Sequence, residues 1–317
     1  MKTIIRGSSV QSYILGFDIG GTKCAVNLAK VQSGIELLDR ISFPTEVASG
    51  FEGTKNNLII AGRSLLDRNY LVCSNLIAIG ICCGGPLDSK RGLIFSPPHL
   101  PGWDNIPIVQ IMSYEFGKPA FLHNDANANA LVEWLLGAGQ GIQNMVCITM
   151  STGFGAGIIA EGKLIEGECS LAGEIGHLRL ESDGPIGWNK AGCAEAYCSG
   201  AGIAAIYKKG NLNSEAIAGL AHSGDLEALE IFKNAGRQLG KVIAILIDLL
   251  NPQLIVIGGF FVGCEDLLRP SMETSLKEEA LPYALSACRI VPAQTGKLLG
   301  DYASIITACY SMKLDIL

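Results

Sequence analysis

The chain has 317 residues, 49% of them hydrophobic and 17% charged, with a net charge of −6. That length and apolar fraction fit two folded domains with sizeable cores rather than a disordered chain, and an acidic balance without any Lys/Arg-rich run argues against a nucleic-acid surface. There is no membrane-length apolar span and no apolar signal region in residues 1–12, and eleven cysteines are scattered without a C-x-x-C pair, so a soluble cytoplasmic α/β protein with reduced thiols is expected.

In chain order, strands are predicted at residues 13–19, 24–29 and 37–43, followed by a helix over 51–69 and a buried strand over 76–82. Between the first two strands lies a glycine turn, Asp18-Ile19-Gly20-Gly21-Thr22-Lys23. Gly84-Gly85-Pro86 and Ser96-Pro97-Pro98-His99-Leu100-Pro101-Gly102-Trp103 then mark irregular loops of the kind that carry function. A strand over 119–123 leads into a helix over 124–136. A second glycine hairpin is centred on Ser151-Thr152-Gly153. A polar, glycine-rich middle (161–192) precedes helices, the longest over 226–250. A short buried strand over 254–257 ends at Gly258-Gly259, and a helix over 299–312 closes the chain. Trp103 and Trp134 read as core or interface anchors, and Cys82, Cys83, Cys147 and Cys309 as small core residues.

Neither glycine element is a P-loop. A phosphate-binding P-loop or Rossmann turn opens a helix, whose N-terminus supplies the anion site, whereas here a strand follows each turn. Thr22 and Lys23 also stand in the reverse of the Walker order. Two glycine hairpins, one in each half, suggest a duplicated domain that grips a nucleotide's phosphates from two sides.

Five motifs occur in register: Asp18-Ile19-Gly20-Gly21-Thr22-Lys23, His123-Asn124-Asp125-Ala126-Asn127, Glu174-Ile175-Gly176-His177, Gly192-Cys193-Ala194-Glu195, and Asn251-Pro252 through Gly258-Gly259. Together they resemble the ROK family of bacterial sugar kinases, its glucokinase-like members above all, over residues 13–310. The resemblance implies an actin-like ATPase (ribonuclease H-like) fold of duplicated α/β domains with a central cleft where ATP and sugar meet. The expected domains are a small one over 1–123, joined by the C-terminal helix (about 299–317), and a large one over 124–298. ROK repressors carry an additional N-terminal DNA-binding module, and only about a dozen residues precede the first strand here, which favours the kinase branch.

The resemblance also implies roles. Asp125 becomes the base that takes the proton from the attacking hydroxyl. Asp18 holds Mg²⁺ through water, which suits an ion that needs only one or two carboxylates beside phosphates and waters. Gly20 and Gly21 permit positive φ and a close approach of backbone N–H groups to phosphate. Thr22 and Lys23 add a hydroxyl and a charge. Ser151, Thr152 and Gly153 form the second phosphate turn, with Ser151 where the family usually has Gly, and Gly258 and Gly259 lie under the adenosine. Asn124, Glu174, His177 and Glu195 match sugar-contacting positions, and carboxylates suit sugar hydroxyls because each accepts two protons. Each of these residues also has a plainer reading. Asp125 or Asn124 would cap a helix, Asp18 would open a turn, Glu174 and His177 would form an i,i+3 surface pair, and Gly258-Gly259 would end a strand. His99 stands where many members have Asn, which bears on epimer preference.

The family usually places His177 with three cysteines around zinc. Here Ile186 and Trp188 replace two of them, leaving Cys193, so no structural zinc is expected. Apolar packing around Ile186 and Trp188 is expected to order the loop instead. His177 would then be free to titrate, making sugar binding pH-dependent near 6–7. The expected activity is transfer of phosphoryl from ATP·Mg²⁺ to the primary hydroxyl of a hexose, glucose to glucose 6-phosphate foremost, as an entry to glycolysis. Alternatives are N-acetylmannosamine, N-acetylglucosamine, mannose or fructose as acceptor, polyphosphate as donor, or a non-catalytic sugar sensor. The expected partners are a small sugar and a second copy in a homodimer, with neither nucleic acid nor membrane.

Overall fold

The computed structural model describes residues 12–296 and 299–314, so the polar segment 1–11 lies outside the described residues. The chain divides into two compact units. One comprises Met1–Ala128, Glu168–Ser170 and Lys297–Leu317, and the other comprises Asn129–Gly167 and Leu171–Gly296.

In the first unit, β1 (Ser12–Ile19), β2 (Lys23–Val31) and β3 (Ile35–Pro44) form an antiparallel meander, followed by α1 (Gly50–Arg68) and β4 (Leu76–Cys83). A short hairpin of β5 (Leu87–Asp88) and β6 (Leu93–Ile94) and helix α2 (Ile108–Phe116) lead to β7 (Ala120–Asn124) and α3 (Asp125–Leu136), which passes into the second unit after Ala128. The sheet order is β3-β2-β1-β4-β7, with β4 and β7 parallel to β1. Side chains alternate along β1. Leu15 and Phe17 join a core with Leu58 and Leu65 of α1, and Phe17 meets Phe116 of α2 at a 5.7 Å ring separation. Each such aromatic burial contributes about 2–3 kcal/mol.

In the second unit, β8 (Met145–Met150), β9 (Phe154–Ala160) and β10 (Lys163–Ile165) repeat the meander. A small hairpin, β11 (Ile186–Gly187) and β12 (Lys190–Ala191), precedes helices α4 (Ala194–Cys198), α5 (Gly200–Ile206), α6 (Ser214–His222) and α7 (Leu226–Leu250). Then come β13 (Leu254–Gly259), α8 (Glu265–Glu279), α9 (Pro282–Ala287) and β14 (Arg289–Pro292). The sheet order β10-β9-β8-β13-β14 repeats that of the first sheet, three antiparallel strands and then two parallel ones. Every residue of β8 is buried, as a central strand covered on both faces requires. The 25 residues of α7 start where the Asp225 carboxylate accepts the Ala228 N–H at 2.9 Å, and they stop at Asn251, which turns left-handed (φ 44°) before Pro252.

The last helix, α10 (Leu299–Ser311), belongs to the first unit and lies directly on its sheet. Gly16 and Gly80 face one another across β1 and β4. A Cβ on Gly16 would stand 2.3 Å from the Ser304 hydroxyl, and one on Gly80 would stand 1.7 Å from the Ser304 carbonyl oxygen. Only hydrogen there lets the helix backbone approach so closely. Among the described residues, no helix is long and apolar enough to cross a membrane.

Candidate active site

In the first unit, β1, β4 and β7 run parallel and end in register, Asp18 beside Cys82 beside His123, then Ile19 beside Cys83 beside Asn124. Asp18 and Asp125 therefore stand at the carboxyl ends of strands two spacings apart, about 10 Å between backbones. Open α/β sheets bind ligands at these strand ends. Asn124 caps α3, its Oδ1 accepting the Asn127 N–H at 2.7 Å. The capping and the facing roles are thus divided between neighbours. Asp125 keeps a solvent-exposed face, and one of its oxygens accepts the Ala126 N–H at 2.8 Å.

Burial raises the Asp125 carboxyl above the ordinary range, against the pull of the Ala126 N–H, its own N–H and nearby His99. Asp18, half-buried, is pushed from 3.8 to about 7, by burial first and then by the charge of Asp125. Arg40 and Lys23 pull it down, and Asp301 pushes it up. Arg40 and Asp301 are themselves paired at 2.7 Å, while Gly300, in the first turn of α10, borders the Asp18 carboxylate. Hard oxygen donors short of positive charge suit Mg²⁺, which fills its shell with phosphates and waters. Among the described residues, no group of three or more His, Cys, Asp or Glu could hold a metal by protein ligands alone.

The first glycine turn is tied from behind. Thr45 donates its hydroxyl to the Gly20 carbonyl at 2.6 Å and its N–H to the Thr22 carbonyl at 2.9 Å. Neither Gly20 nor Gly21 adopts the positive φ that glycine permits. Their glycine character serves proximity instead, because a Cβ on Gly21 would stand 2.4 Å from the His99 Cβ and one on Gly20 would stand 2.8 Å from the Lys23 carbonyl. The N–H groups of Gly21 and Thr22 find no acceptor among the described residues, so they remain available to an anion. Thr22 and Lys23 are exposed.

In the second unit, Ser151-Thr152-Gly153 joins β8 to β9. The Ser151 and Thr152 carbonyls accept N–H groups from Gly200 and Ala201 at the start of α5, at 2.7 and 3.3 Å. The Thr152 and Gly153 N–H groups, like those of the first turn, have no acceptor among the described residues. Glu195 accepts the Phe154 N–H at 3.2 Å, and Gly176 packs against both Phe154 and Glu195. The turn, Glu195 and the 3₁₀ turn Ile175–His177 therefore form one neighbourhood, with Glu174 and His177 exposed on it. Gly258 and Gly259 end β13 beside Thr149 and Met150 of β8. Gly259 does adopt positive φ (75°), and a Cβ there would stand 1.8 Å from the Met150 carbonyl.

The expected packing in place of zinc is half right. The Trp188 ring lies 5.0 Å from that of His177, tilted by 37°. Trp188 and Asn189 hold consecutive left-handed φ values of 52° and 57°, the turn that matches the twist of the β11–β12 hairpin. Lys190 donates to the His177 carbonyl at 2.7 Å, and the Cys193 thiol donates to the Gly187 carbonyl at 3.3 Å. Ile186 is 72% exposed and takes no part. Thr45, Arg40 and Asp301 escape sequence reading, since no fixed spacing links them to the strand ends they serve.

The ROK family model matches residues 14–308 of this chain. A glucokinase of Halalkalibacterium halodurans is 32% identical over 307 residues, 91% of this chain and 92% of that protein. An N-acetylmannosamine kinase of Escherichia coli is 35% identical over 276 residues, 85% of this chain and 90% of that protein. A ROK family glucokinase from Streptomyces griseus, solved in complex with glucose and AMPPNP, matches with a TM-score of 0.75 at 28% identity, over 94% of this chain and 99% of that one.

Proposed function

Because the chain belongs to the ROK family, whose actin-like ATPase fold its two matching sheets display, we propose that it is an ATP-dependent hexose kinase acting on the primary hydroxyl of a hexose, glucose foremost. The observation that carries the reading is Asp125, a solvent-facing carboxylate with raised proton affinity at the end of β7 and the head of α3. A base must be fixed in place and hold a proton more tightly than an ordinary carboxylate, and the helix start and the upward shift of Asp125 support that role.

In this mechanism the sugar hydroxyl attacks the γ-phosphate in line while Asp125 accepts its proton. Asp18 would be the residue to hold Mg²⁺, which would supply neutralisation of phosphate charge when bound. The free N–H groups of Gly21, Thr22, Thr152 and Gly153, with Gly20, Lys23 and Ser151, hold the phosphate chain, and Gly258-Gly259 lies under the adenosine. Glu174, His177 and Glu195 accept or donate to sugar hydroxyls. Asn124 contributes through its Nδ2, because its Oδ1 is committed to the helix cap. The protein works in the cytoplasm as a homodimer. A second acceptor, N-acetylmannosamine, is favoured by the 35% identity to a kinase for that sugar.

A coupled ADP-release assay with ATP·Mg²⁺ across a hexose panel tests the reading, with Asp125→Asn alongside. The expected result is turnover on glucose that falls on the order of 10²–10⁴-fold in the variant. Turnover on an acetamido sugar alone would change the acceptor. Silence on every sugar would refute the ATP-dependent kinase and leave a polyphosphate donor or a non-catalytic sugar sensor, which a change of donor separates.

A further inference from the structure

Glu133 is fully buried, yet its carboxylate is not paired with any cation among the described residues. It accepts hydrogen bonds instead, from the Ala138 N–H at 3.0 Å on one oxygen and, on the other, from the Gln294 N–H at 3.0 Å, the Thr295 N–H at 2.9 Å and the Thr295 hydroxyl at 2.5 Å. A charge in such a place costs several kcal/mol of desolvation, and an apolar residue of similar volume holds two elements together at least as well. Stability alone is therefore a poor reason for it.

What the carboxylate joins is informative. It sits on α3, whose first residue is Asp125, eight residues or about 12 Å back along the helix. Its partners Gln294 and Thr295 directly follow Ala293, whose N–H donates to the Ile257 carbonyl at 2.9 Å and whose Cβ borders Gly258. One side chain thus fastens the helix that begins with the base to the strand that ends in Gly258-Gly259.

We propose that Glu133 is a positioning residue for phosphoryl transfer, fixing the course of α3, whose first residue is Asp125, by tying it to the Gln294-Thr295 segment. The inference rests on the kinase reading and adds to it a residue that touches neither sugar nor nucleotide. In-line transfer tolerates little error, and a misplacement of about 1 Å costs on the order of 10²-fold. Glu133→Gln is the informative change. All of its backbone partners are obligate donors, so the amide must set its own N–H₂ against a donor on one side and displace the helix there.

The experiment measures kcat, KM for the sugar and Tm for the wild type, Glu133→Gln and Thr295→Val, with ATP·Mg²⁺ at a temperature well below every transition. The expected result is a kcat at least 10-fold lower in Glu133→Gln and about 3-fold lower in Thr295→Val, with KM within 3-fold of the wild type. Unchanged kcat with a lowered Tm would overturn the proposal and leave Glu133 a structural tie. If Glu133→Gln does not fold, Thr295→Val decides on the same split. A wild type silent on all sugars sinks the kinase reading and this inference with it, whereas an active wild type with indifferent variants sinks this inference alone.

Discussion

Asp18→Asn should make the protein more stable and inactive at once, and the gain should depend on pH. The carboxyl proton affinity moves from 3.8 to about 7 on folding, so the folded state holds the proton where the unfolded chain has released it. The sign follows from that difference. Below pH 4 both states are protonated and the group is neutral in its effect. Between about 4 and 7 folding loses stability as pH rises, and above 7 the loss is complete. At 1.36 kcal/mol per pH unit the full penalty is about 4 kcal/mol, an upper bound because water reaches part of the half-buried side chain. Asparagine keeps the shape without the charge. At about 2.1 cal/mol/K per residue of unfolding entropy, the variant's Tm should rise by about 6 °C at pH 8 and about 2 °C at pH 5. Scanning calorimetry in metal-free buffer across that range measures it. A gain equal at both pH values, or no gain at pH 8, would show that Asp18 is not a strained carboxylate and would remove the electrostatic argument for a cation beside it.

Two further outcomes follow from packing. Gly80→Ala should lower stability by about 3 kcal/mol or more, because its Cβ would stand 1.7 Å from the Ser304 carbonyl and α10 must lift off the sheet. Gly34→Ala, with nothing within 4 Å, should be nearly neutral in the same thermal melt, and an equal loss in both would refute the packing account. Trp188→Ala should raise KM for the sugar about 2–10-fold with little change in kcat or Tm, from the loss of an aromatic contact worth about 0.5–1.5 kcal/mol to His177. Unaltered KM would separate His177 from the sugar.

Much of the fold was legible because its signals are local. The apolar run of β8, the capped stripe of α7 and the glycine turns after β1 and β8 each announce themselves within a dozen residues. Helix α8 was obscured by Pro270 in its interior, and β14 by its shortness and half-exposed edge position. In the candidate site, Asn124 and Asp125 could be told apart as cap and facing residue because one helix start poses only that choice. Glu133 was invisible because its partners lie about 160 residues away. For Gly20 and Gly21 the sequence leaves positive φ and close approach both open. A glycine in a turn usually means positive φ, and only the loop bearing His99, some 80 residues on, reveals that space rather than torsion is at stake.

The bed beneath α10 has a consequence for how the protein is made. β1 and β4 leave the ribosome early, but the bare strip at Gly16 and Gly80 is shaped for a helix about 220 to 290 residues downstream. Until residues 299–311 have been synthesised, that face of the first sheet exposes Ile14 and its neighbours without a cover. The contact is among the longest-range in the chain, and it forms only after a large loop has closed. The first unit is therefore begun first and finished last, and its nascent sheet is the surface that holding chaperones would meet during synthesis.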